Sequence, residues 1–161
     1  MIILKTMLTV SVVVLAMLFP IQKATSQTAT LHVSVTNIKN HEGIIRTLLW
    51  NDEEGFPKEK EYFFKKAFHA ADADTVCFYF TDIPYGNYAI SLFQDENANL
   101  EFDKNRLTRT SEPFGLSGKP NFKERPVKFE DCKFRIGKPQ IEINIRLMSI
   151  DEVQQIINGE Q

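Results

Sequence analysis

The chain has 161 residues, a formal net charge of −2, and 43% hydrophobic and 25% charged residues. This length suits one domain with a real core. The mildly acidic balance argues against nucleic acid and anionic membranes as partners.

Residues 1–26 read as a secretory leader. Lys5 supplies a short positive start, and Met7 to Phe19 is apolar except at Thr9 and Ser11. Pro20 ends that run, and Ala24-Thr25-Ser26 offers a small-x-small cleavage site. The run falls short of the ~20 apolar residues that a spanning helix needs. No cysteine stands near the cleavage site for a lipid anchor. The expectation is cleavage near Gln27, no membrane anchor afterwards, and a periplasmic or extracellular location. Loss of Lys5 and Lys23 makes the remainder more acidic still.

Residues 27–148 read as strands joined by turns. Leu31, Val33 and Val35 alternate with His32, Ser34 and Thr36, the period of a half-buried strand. Ile44 to Trp50 is apolar on both faces, which predicts a central strand. The turn-rich gap between them, Asn37 to Gly43, predicts a hairpin. Asn51 to Lys66 is an excursion in which Phe56, Tyr62, Phe63 and Phe64 are the residues able to pin it down. Pro57 to Phe63 suits a short helical turn, and Phe64 to Ala70 a short strand.

Thr75 to Thr81 is aromatic and β-branched and predicts a strand. Asp82-Ile83-Pro84-Tyr85-Gly86 has turn chemistry. Asn87 to Phe93 follows as a strand with Tyr88, Ile90 and Leu92 on one face. Glu112 to Pro120 is a second long loop. Val127 to Phe134 and Gln140 to Leu147 are the last predicted strands. In the tail, residues 149–161, Ser149 and Glu152 have capping-box spacing, and Val153, Ile156 and Ile157 share a helical face. About seven short strands punctuated by turns, with 13 Phe, predict an all-β antiparallel β-sandwich with a short C-terminal helix.

Cys77 and Cys132 are the only cysteines. Export would permit a disulfide between them, worth about 3–4 kcal/mol in the chain-entropy model. The alternative is two separate thiols in or near the core.

Three segments stand in a fixed order: 80–90 (FTDIPYGNYAI), 94–105 (QDENANLEFDKN) and 112–117 (EPFGLS). Together they resemble the bacterial exported family catalogued as domain of unknown function 2141. That family carries an F-x-x-L-P-x-G-x-Y-A turn, an H-D-E-N-x-N-x-x-x-D-x-N loop and an E-x-[YF]-G-[FL]-S loop. The resemblance spans Leu31 to about Leu147. The resemblance implies an immunoglobulin-like or prealbumin-like sandwich fold and no known activity. Gln94 replaces the family's usual His, and Ala98 and Leu100 replace two frequent glycines.

The middle segment also has the oxygen spacing of a calcium loop. With Asp95 first, the residues Asn97, Asn99, Glu101 and Asp103 fall at positions 3, 5, 7 and 9. Two features oppose this. Position 6 needs Gly for its sharp turn and here is Leu100. Position 12 needs a bidentate carboxylate and here is Arg106, so Glu112 would have to substitute. The alternative is an Asx-rich turn held by its own hydrogen bonds, with Leu100 and Phe102 pointing inward.

Catalytic motifs are absent from the sequence. His32, His41 and His69 show no zinc spacing. Ser117 does not sit in a nucleophile elbow. Asp95, Asp103 and Glu112 could serve glycosidase chemistry only around a cleft. Trp50, Phe56, Tyr85 and Phe114 lie at strand ends or in loops. If they share one end, they form a recognition surface for a glycan or a protein; otherwise each caps the core. The leading expectation is a non-catalytic binding or interaction module, with loops 51–62, 94–106 and 112–120 at the recognition end. A calcium-stabilised structural module and a carbohydrate-active enzyme are the alternatives.

Overall fold

The structure is a computed structural model, and it describes residues 27–57, 64–105 and 110–159. The expected leader, Tyr62, Phe63, Arg106 and most of the helical turn expected from Pro57 lie outside the described residues. Two sheets pack face to face. One has the order β10-β1-β4, from strands Gln140–Arg146, Thr28–Thr36 and Thr75–Pro84. The other has the order β3-β2-β5-β8, from Lys65–Ala70, Ile44–Trp50, Gly86–Asp95 and Phe114–Leu116. A short β9, Phe134–Ile136, pairs with the start of β5, and β6 (Lys104–Asn105) pairs with β7 (Thr110–Ser111). Pairing is antiparallel except between β1 and β10. The expected all-β sandwich with a C-terminal helix is therefore the fold.

Alternation in sequence sets the core. Leu31, Val33 and Val35 of β1 point inward and are fully buried. They meet Phe78 and Phe80 of β4, Ile145 of β10, Ile45 and Leu49 of β2, and Ile90 and Leu92 of β5. Each fully buried Leu, Ile or Val stabilises by about 1.5–3 kcal/mol relative to exposure.

In the second sheet, β2 and β5 are buried on both faces. Leu48, Trp50 and Ala89 form an outer cluster with Phe56 and Cys132. Segment 117–133 covers this face. Helix α1, Phe129–Cys132, lies within it and turns Cys132 into the cluster, with Phe129 packed against it. A strand at Val127 to Phe134 was expected there. The chain instead spaces Phe129 and Cys132 one helical turn apart, so both face the sheet. Strand pairing resumes only at Phe134.

Two further expectations are corrected. β1 and β2 do not form a hairpin. They lie in different sheets, and segment 37–43 crosses between them. Asn37, at φ 66°, donates its side-chain amide to the Leu147 carbonyl at 2.7 Å and anchors that crossing. β2 is apolar on both faces, and it lies between β3 and β5 with the main core against one face and the outer cluster against the other. The Asp82–Gly86 turn is also narrower than its composition suggests. β4 runs on to Pro84 through a bulge with Asp82 at φ 57°, and Tyr85 alone passes the chain to the other sheet.

The tail folds as its sequence predicts. Helix α2 spans Ile150–Asn158 behind a complete capping box between Ser149 and Glu152. Val153 is buried. Among the described residues no helix is long and apolar enough to cross a membrane. The Ser149 amide, then Arg146 and Lys39, hold the Glu152 carboxyl down at about 2, against an ordinary 4.5. A depressed carboxyl stabilises fully above its unfolded value and loses that contribution as pH falls toward its folded value. Far-ultraviolet circular dichroism should therefore show α2 weakening between about pH 4.5 and 2. Glu152→Gln should remove that acid step.

Candidate functional site

The register Ile44↔Asp95 ends the β2–β5 ladder and launches the acidic loop. Gly43, at φ 70°, sits against this point; a Cβ there would lie 1.9 Å from the Asp95 carbonyl oxygen. Only glycine permits that approach.

The loop closes on itself. Asp95 is fully buried. Its Oδ1 accepts from the Asn99 amide at 3.0 Å and its Oδ2 from the Leu100 amide at 2.7 Å. Asn97 Oδ1 accepts from the Asn99 amide, and Asn99 Oδ1 from the Glu101 amide. Asp103 Oδ2 accepts from the side-chain amides of Asn97 and Asn99, at 2.8 and 3.1 Å. Glu112, from the next loop, accepts from the backbone amides of Glu96 and Asp103, both at 3.0 Å. Burial pushes the Glu112 carboxyl up, and those two amides oppose the shift.

These oxygens are spent on amides rather than aimed at one centre. Among the described residues, no three His, Cys, Asp or Glu side chains gather to hold a metal ion. The calcium reading of Asp95, Asn97, Asn99, Glu101 and Asp103 gains no geometric support. Leu100 nevertheless takes the left-handed turn, at φ 66°, and Ala98 does so at φ 55°. Leu100 points out and is half exposed, against the inward position expected for it. Five loop amides accepted by side chains, at Glu96, Asn99, Leu100, Glu101 and Asp103, offset the cost of that turn.

A cation does serve the loop, and it comes from the chain. Arg46 on β2 is 6% exposed and donates through its guanidinium to the Leu100 carbonyl. Burial lowers its pKa, and the nearby Asp95 charge raises it. The guanidinium lies 5.7 Å from the ring centres of both Phe68 and Phe93. Sequence reasoning missed Arg46. Its signal was a single charge inside the apolar run 44–50.

Phe102 ends the loop and packs inward. Edge-to-face contacts chain Phe93, Phe102, Phe114 and Phe122, with ring centres 5.3, 5.9 and 6.3 Å apart. They border an open cavity of about 630 Å³ on the outer face of the second sheet. Leu48 and Ser91 form its floor, segment 122–127 one wall, and Ile150 and Val153 of α2 another. Lys104 and Arg125 also line it. None of these residues except Phe114 was singled out as a site residue in sequence, because their convergence depends on how segment 117–133 folds back.

The expected aromatic surface is not formed. Trp50 is fully buried, and its Nε1 donates to Ser91 Oγ at 2.9 Å. Phe56 is 8% exposed and packs edge-on against Trp50 and Phe129. Tyr85 lies half-buried against the main core. Phe114 alone reaches the cavity. The sheet's outer face needs cover, and these two large rings supply it.

The cysteines do not pair. Cys77 is exposed on β4 beside Ser34 Oγ, whereas Cys132 is buried under the opposite sheet. The main core separates them. Burial, with help from Asp131, pushes the Cys132 thiol up to about 12, so it is unreactive at neutral pH.

Asp95 and Glu112, buried and fully engaged by amides, likewise lend no support to glycosidase chemistry. No curated protein and no solved structure matches the chain. The profile of the family described as an uncharacterized protein conserved in bacteria, domain of unknown function 2141, does match, over residues 33–144. That span runs from β1 into β10 and includes the acidic loop and most of the cavity lining. The chain belongs to this family of uncharacterized bacterial proteins.

Proposed function

We propose that this protein is an exported, non-catalytic binding module whose ligand enters the apolar cavity beside β5 and β8. The cavity is the observation that carries this reading. Its volume of about 630 Å³ falls within the ~300–1,000 Å³ typical of small-molecule sites. Its lining is mostly apolar with a few polar groups, the composition such sites share. Two of the three loops expected at the recognition end, 94–106 and 112–120, supply Phe102, Lys104, Phe114 and Leu116 to it. Pro57 contributes from the third. Export rests on the leader pattern of residues 1–26.

The test is a titration with Nile red, a neutral apolar dye. Saturable binding at one site is expected, with no turnover of the dye. Val127→Trp, which places bulk in the cavity wall, should weaken binding at least about tenfold, because an overfilled pocket excludes the ligand. Unaltered circular dichroism would show the variant still folded. Failure to saturate, or equal binding by the variant, would exclude the cavity as the site.

A further inference from the structure

Resting on that cavity reading, we infer that the ligand is a single-chain amphiphile with an anionic head, of the fatty-acid class. Charge gives the first argument. The chain as a whole is acidic, at −2, yet two of the three charged residues lining the cavity are Lys104 and Arg125. The third, Glu124, is already engaged. Its carboxylate lies 2.5 Å from Lys128 Nζ and accepts from Asn121 Nδ2 at 3.3 Å. Among the described residues no carboxylate forms an ion pair with Lys104 or Arg125. Both cations are exposed, so a head group bound there stays partly in water while its chain is buried.

Shape gives the second. The four rings along the cavity meet at interplanar angles of 67°, 79° and 82°. No two successive rings are parallel, so they make no flat slot for a nucleobase or another planar ring. A flexible alkyl chain needs no such slot. It gains from every apolar contact along Phe102, Phe114, Phe122 and Val153. Lys104 Nζ sits 5.0 Å from the Phe102 ring centre, which places the cation at the junction of apolar wall and solvent.

The experiment displaces Nile red with three amphiphiles below their micelle concentrations: decanoate, octanoate and decyltrimethylammonium. Decanoate should displace the dye at about one-tenth the concentration that decyltrimethylammonium requires, the combined effect of two exposed ion pairs. Octanoate, two methylenes shorter, should be about fifteenfold weaker than decanoate. In the double variant Lys104→Gln, Arg125→Gln, with each displacement referred to that variant's own Nile red affinity, decanoate should lose its tenfold advantage over decyltrimethylammonium. If both head groups compete equally, or the preference survives in the double variant, the anionic-head inference is overturned while the cavity stands. If decanoate and octanoate compete equally, the chain does not enter the cavity and the inference also fails. If Nile red itself does not bind, the cavity reading fails first.

Discussion

Arg46→Met is expected to lower unfolding free energy by about 1.5–3 kcal/mol, the cost of leaving a buried carbonyl without its charged donor and a buried carboxylate without a nearby cation. Methionine keeps much of the side-chain volume, so lost packing is a minor part. The larger part is electrostatic. Asp95 is fully buried, and its carboxylate would lose the cation beneath the loop. The Leu100 carbonyl would lose its guanidinium donor. Denaturant unfolding followed by Trp50 fluorescence gives the value. Arg46→Lys should recover part of the loss, since it restores charge without the planar fork. A loss below about 1 kcal/mol in Arg46→Met would mean that the Asn99 and Leu100 amides alone suffice for Asp95. The same variant asks whether the loop, once emptied of its internal cation, gains a melting response to added calcium.

The second large effect is expected at Trp50→Ala, at about 3–5 kcal/mol. The indole is fully buried between β2 and the covering segment, in contact with Phe56. Its removal leaves a void that Phe56 and Phe129 cannot fill without moving the 117–133 cover. Ser91 Oγ also loses its indole donor. Thermal or denaturant unfolding monitored by circular dichroism measures the loss. A cost near that of a surface substitution, under about 0.5 kcal/mol, would show that the outer layer adds little to the fold. Because Trp50 is the only tryptophan, wild-type emission should be blue-shifted and poorly quenched by acrylamide.

These two residues mark the limits of what sequence reveals here. Arg46 and Trp50 share one strand, and the run 44–50 reads in sequence as apolar on both faces. From that pattern the central place of β2 follows directly. The pattern leaves open which residue faces the main core and which faces the outer layer. Burial of Trp50 depends on segment 117–133 folding across the sheet, and no local signal in that segment announces it. The helix at Phe129–Cys132 has no side-chain cap, and its residues read equally well as strand. Contact with β2 and β5 decided between the two. The same fold-back creates the cavity, so its lining was invisible as a set.

Sequence alone determined the elements whose information is local. Alternation fixed β1, β5 and β10, the capping box fixed the start of α2, and the Asx spacing of 95–103 fixed a tightly folded loop. The ordered motifs fixed the family. Each of these depends on residues a few positions apart, where backbone geometry dictates which side chains meet. Tertiary structure alone decided the pairing of β1 with β10 and β4, the separation of the two cysteines, the guanidinium beneath the acidic loop, and the cavity with its two cations. Those features join residues tens of positions apart. Alternation marks which face of a strand is buried, but the partner of that face, like the partner of a buried charge, is chosen only in the folded state and leaves no local mark on the chain.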